Sequence, residues 1–206
     1  MLQSQHLRVW HKRNAAVLII FLAAHFTTHL SAIFGPDTHS SVIETLRIVY
    51  RNPIIEIILI GLFVTQVGLG IRLVIPRLKQ TEKSGWFWIQ VISGLYLAIF
   101  ILIHVFMGIL RGRGYEGVDT GFYFAASTLV TEPVKYGFIP YYGLGVIALF
   151  SHLAAALHWA GKPRAVTHGL IALGIAVSIL VVGAYGGLFF QIDLPEAYQA
   201  YIRDAV

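Results

Sequence analysis

Nine histidines stand among 206 residues, and five of them fall in or at the ends of long apolar runs: His25, His29, His104, His152 and His158. Ionisable side chains are expensive in hydrocarbon, so each is a candidate for function. A single imidazole there often does no more than hydrogen-bond a neighbour. Two on different helices can do more. Haem iron takes axial imidazoles from opposite sides, so its ligands must come from two helices at similar depth.

His25 lies ten residues before Gly35, and His104 lies seven before Arg111, where their two runs end on one side. At ~1.5 Å per residue they differ by about one helical turn, which helix tilt absorbs. His29 shares a face with His25 at i+4 and matches the depth of His104 as well, so depth leaves the two open. On the runs of opposite direction, His152 is thirteen residues in from Ile139 and Gln66 thirteen in from Pro53. These two are expected to face each other, either as a hydrogen-bonded pair or as a site with one ligand lost. His158 and His168 flank a basic loop. His6, His11 and His39 fall at interfaces or in loops.

The elements that must hold these side chains are membrane helices. The chain is 57% hydrophobic and only 12% charged, well below the charge of a soluble domain, so lipid must cover much of its surface. Covering ~30 Å of hydrocarbon takes about 20 apolar residues. Five segments qualify, at roughly 13–34, 53–76, 86–110, 139–160 and 166–190. The expected fold is all-α: one integral membrane domain, 1–206, built as a five-helix bundle. The first run is too long for a signal-peptide core and lacks a cleavage site after it. The absence of cysteine excludes disulfides and iron–sulfur clusters ligated by this chain.

Charge orients the bundle. Nine of the fifteen Lys and Arg residues fall on the side of the N-terminus, with Glu82 as the one acid, while six basic and nine acidic residues fall on the other. The bias places the N-terminus in the cytoplasm and the C-terminus outside, and it accounts for the net charge of +5 without a nucleic-acid partner. Asn52-Pro53 is a helix start. Ser41 to Glu44 reads as a capping box opening a short interfacial helix over 41–50. Pro76 is expected to end the second span and Pro140 to open the fourth. The 111–138 connection should cap the outer surface.

At the histidines the sequence resembles the cytochrome b membrane-anchor subunits of succinate dehydrogenase and fumarate reductase, in their single-chain, five-helix form. Phe21-Leu22-Ala23-Ala24-His25-Phe26 looks like that family's first ligand segment. Ser93-Gly94-Leu95 running on to His104 looks like its third, and Phe150-Ser151-His152 its fourth. Gln66-Val67-Gly68-Leu69-Gly70-Ile71-Arg72 is similar to the second, with glutamine at the ligand position, and His11-Lys12-Arg13 is similar to the start of its first helix. The basic residue usual before Ser93-Gly94 is replaced by Val91-Ile92.

The resemblance implies one b haem held by His25 and His104, with His29 and His152 as weaker ligand candidates. It implies electron transfer between membrane quinone and an iron–sulfur protein that docks with a flavoprotein on the cytoplasmic face. Glu56 is a candidate proton relay, and His11 and Arg13 are candidate quinone contacts. The expected location is a bacterial inner membrane. Two alternatives stay open: a stand-alone membrane cytochrome b with another redox partner, and a haem-free helical anchor whose histidines only hydrogen-bond. A transporter is disfavoured, because the spans lack acids in their middles and show no inverted repeat.

Overall fold

The computed structural model describes residues 2–205, with side-chain surroundings for 5–203. All regular structure in these residues is helical: α1 Leu2–Ser31, α2 Pro36–Tyr50, α3 Pro53–Leu78, α4 Gly85–Val105, α5 Phe122–Val130, α6 Lys135–Trp159, α7 Arg164–Tyr185 and α8 Glu196–Ala205. A 3₁₀ turn, Ala32–Phe34, follows α1, and α4 runs on through a wider π-helical stretch, Phe106–Tyr115. Five stretches are long and apolar enough to cross a membrane: Gln5–Phe34, Pro53–Leu78, Gly85–Tyr115, Lys135–Trp159 and Arg164–Tyr185.

Several boundaries differ from those expected. Pro76 does not end the second span; α3 continues to Leu78. Pro140 does not open the fourth; α6 begins at Lys135. A proline removes one backbone hydrogen bond, and within a turn or two of a helix end little depends on it. The short helix before α3 starts at Pro36, not Ser41, because Gly35 turns the chain at φ 102° and Pro36 supplies a ready first helical residue. Ser41 therefore lies inside α2 and caps nothing. α1 begins well before residue 13, since no Gly or Pro interrupts its polar start. His11 is thereby on a helix, not in a loop. Asn52 does cap α3, its Oδ1 accepting from the amides of Ile54 at 3.1 Å and Ile55 at 3.4 Å.

The tightest packing joins α6 to α7, with α5 laid across them. Ala126, Leu129, Val146, Val177, Val181, Ala184 and Tyr185 form this core. Small residues permit the approach: a Cβ added at Gly174 would enter the space of the Phe150 side chain, and one at Gly145 that of the Phe100 ring. Gly174→Ala should therefore destabilise the fold by about 1–3 kcal/mol. Gly169→Ala, where a Cβ meets nothing within 4 Å, should be neutral or stabilising by up to ~1 kcal/mol. Unfolding midpoints in detergent micelles check both. The other close pairs are α1 with α3 and α4 with α6. Between these two pairs the bundle is open.

Candidate haem site

That opening is a cavity of about 1500 Å³, above the ~300–1000 Å³ usual for a small-molecule site. It runs lengthwise between the two helix pairs. Arg47, Arg51, Glu56 and Arg113 line the end beneath α2; Arg8, His11, Arg77 and Gln80 line the opposite end.

His25 of α1 and His104 of α4 meet in the half beneath α2. Their ring centroids are 6.0 Å apart with planes at 80°. Two imidazoles on opposite faces of one metal stand roughly this far apart, since each metal–nitrogen bond is about 2 Å and each ring adds its half-width. Phe100, one turn back on α4, stacks on His104 at 5.3 Å and fixes its plane. Tyr142 of α6 closes the other side, edge-on at 6.2 Å.

Of the two imidazoles on α1, His25 is the one paired with His104. His29 stands behind it. Its Nε2 is 3.0 Å from Nε2 of His25, and its Nδ1 is 2.9 Å from the Tyr185 hydroxyl. Ligation through Nε2 of His25 therefore requires that ring to turn away from His29.

The charged rim at this end gives a test of what the cavity suits. Arg47 donates through Nη1 to Asp119 at 2.9 Å, yet its Nε and Nη2 are buried with no acceptor. These two nitrogens carry the parallel N–H bonds of the guanidinium side, the fork that one carboxylate fills. A buried unmatched donor is costly. Haem offers two propionate carboxylates and needs only two protein ligands, because the porphyrin supplies the rest. An imidazole pair with an unpaired arginine fork on one cavity suits that donor set. Among the described residues, no three His, Cys, Asp or Glu side chains gather as a metal site built from protein alone.

No family model matches this chain, and neither a curated protein nor a solved structure matches it.

The remaining candidates sort clearly. Glu56 is not free: it accepts from Arg113 Nη2 at 2.6 Å, and both line the cavity. Arg13 is exposed and does not line it. Gln66 and His152 do not pair. Gln66 turns to α1, accepting from Asn14 Nδ2 at 2.7 Å and meeting His11 Nε2 at 3.0 Å. His152 turns to α4, its Nδ1 3.2 Å from the Gln90 carbonyl and from Ser93 Oγ. His158 stacks on Trp86 at 4.4 Å, outside the cavity lining. Arg47, Asn14, Tyr185 and the burial of His39 carried no sequence signal, since each depends on contacts distant along the chain.

Proposed function

We propose that this chain is a haem b-binding membrane-anchor subunit of a succinate dehydrogenase or fumarate reductase type of complex. The carrying observation is the His25–His104 pair, two imidazoles from separate membrane-length helices set 6.0 Å apart on one cavity. The haem, when bound, supplies the one-electron redox couple between an iron–sulfur partner and quinone. The chain's residues orient and enclose it. His25 and His104 would hold the iron, Phe100 and Tyr142 would keep the imidazole planes in place, and Arg47 would pair with a propionate. The charge bias sets the N-terminus and the 79–84 and 160–163 loops in the cytoplasm, where the iron–sulfur and flavin subunits dock. The haem then sits in the outer half of a bacterial inner membrane, and the Glu56–Arg113 pair at its edge is a route for protons to quinone.

The purified protein, reduced with dithionite, should show a b-type α band, and pyridine haemochrome should give at least one haem per chain. A colourless protein after expression with haem supplied sinks the proposal. One observation favours a second reading, a haem-free anchor: the His25–His29–Tyr185 contacts satisfy these imidazoles without iron. The same spectrum separates the two.

Arg47 gives a graded check. A charge-assisted hydrogen bond contributes about 1.5–3 kcal/mol, or roughly ten- to a hundredfold in affinity. Arg47→Met should weaken haem binding by that factor in titrations of the apoprotein, with the absorbance maximum unmoved because the axial ligands remain.

A further inference from the structure

A second groove, of about 470 Å³, lies on the outside of the α4–α6 pair. Ile103, Met107 and Arg111 stand at four-residue intervals along one wall. Val134, Gly137 and Tyr141 recur every three or four residues along the other. Gly94 meets His152 and Phe100 stacks on Tyr141, so α4 and α6 are antiparallel. The groove therefore runs along the spans, from Arg111 and Val134 at one end to Ile103 and Tyr141 inside the apolar run, roughly 12 Å. Tyr201 of α8 roofs the Arg111 end, its ring centroid 5.8 Å from the guanidinium carbon. The side is open: Ile103 and Gly137 are exposed, and a Cβ on Gly137 would meet nothing within 4 Å.

The interior offers little to a polar guest. Thr128 donates to the Ala125 carbonyl at 2.8 Å and Tyr141 to the Phe100 carbonyl at 3.1 Å, so both hydroxyl protons are engaged by backbone. An alkyl chain suits such a surface, and a polar group there goes unpaired. At ~30 Å³ for a group the size of a water molecule or a methylene, the groove has room for one lipid tail and not for two.

The mouth is charged. Arg111 Nε stands 3.7 Å from Glu116 Oε1, too far for a hydrogen bond. Among the described residues, neither side chain has another ionic partner. Cation and anion thus stand side by side with no net charge. A purely anionic headgroup gains from Arg111 and loses to Glu116, whereas a phosphate that carries a primary ammonium is matched by both.

We propose that this groove holds one phospholipid with an ethanolamine headgroup. Its phosphate pairs with Arg111 and its ammonium with Glu116, and one acyl chain lies between α4 and α6. Met107, Phe138 and Tyr141 line both this groove and the large cavity, so the chain backs the cavity wall and closes it toward the bilayer.

Native mass spectrometry of the chain purified in mild detergent should show one retained phosphatidylethanolamine. Delipidated protein should bind phosphatidylethanolamine more tightly than phosphatidylglycerol, which lacks the ammonium, or phosphatidylcholine, whose ammonium has no N–H to donate. Gly137→Phe fills the groove and should remove the lipid; Gly137→Ala should keep it, and circular dichroism shows whether each variant folds. Arg111→Gln and Glu116→Gln leave the groove open. The first should weaken binding of all three lipids about tenfold or more, and the second should erase the preference for ethanolamine over glycerol. Undiminished lipid in a folded Gly137→Phe overturns the proposal. So does wild-type protein that binds phosphatidylglycerol as tightly as phosphatidylethanolamine, or an Arg111→Gln variant that binds as the wild type does. None of these readouts involves haem.

Discussion

If the proposed haem site is correct, His104→Ala should abolish the low-spin haem signature and lower the haem content by one per chain. The effect is all-or-none because the ligand is one of two. With one imidazole gone, a bound iron would keep a single strong protein bond, and no other residue of α4 is a histidine. His25→Ala should do the same. His29→Ala should not, since His29 reaches His25 and Tyr185 and is not the ring paired with His104. In fact, removing His29 frees Nε2 of His25, so haem binding in His29→Ala should be at least as tight as in the wild type. The pattern across the three variants decides the ligand assignment. An unchanged spectrum in His104→Ala disposes of the α1–α4 pair; loss in His29→Ala with retention in His25→Ala moves the ligand by one turn. Circular dichroism on each variant keeps loss of ligand apart from loss of fold.

What the sequence exposed and what it hid follow from the range of each interaction. Apolar runs of membrane length need no tertiary information, and all five reappear as helices. Their ends are local but weakly determined, which is why Pro76 and Pro140 misled. Depth along a helix was also readable: counting residues set His104 level with His25 and His29 without separating these two, and it is the His25 ring that lies 6.0 Å from that of His104. The same counting misplaced Gln66 and His152. It fixed height but not rotation about the helix axis. α3 turns Gln66 toward α1, where Asn14 supplies a donor, and α6 turns His152 toward α4. The origin was wrong as well, since α6 starts at Lys135 and not at Ile139. The amphipathic helix α8 went unseen because its apolar face is short. It is fixed by contacts distant in sequence, among them Tyr201 and Ile202 against Phe124 and Tyr198 donating to the Asp119 carbonyl at 3.0 Å. His39 is the sharpest case. Its neighbours in sequence are Thr38 and Ser40, which suggests a loop, yet it is 2% exposed.

That burial has a consequence in acid. His39 sits on α2 between Phe122 of α5 and Tyr185 of α7, with ring centroids at 5.7 Å from each. Arg47 acts on it from its own helix and Asp119 from the connection before α5, while His29 of α1 bonds the same tyrosine. Burial first, and the Arg47 charge second, lower its pKa from 6.5 to about 4, against a smaller opposing pull from Asp119. The folded chain thus favours the neutral ring, and the unfolded chain takes up the proton first as pH falls. His39 therefore contributes nothing adverse above pH 6.5, and stability is lost progressively between 6.5 and about 4. At about 1.4 kcal/mol per unit the full loss is roughly 3 kcal/mol. His39→Gln, uncharged throughout, should flatten this slope. The comparison is best made between pH 7 and 5, where most carboxylates stay ionised and wild type and variant differ in one titrating group. The unfolding midpoint in micelles should fall with acid in the wild type and fall less in the variant. Parallel slopes would mean that the ring is already solvated when α2 is docked, and that the α2–α5–α7 contact does not close over it.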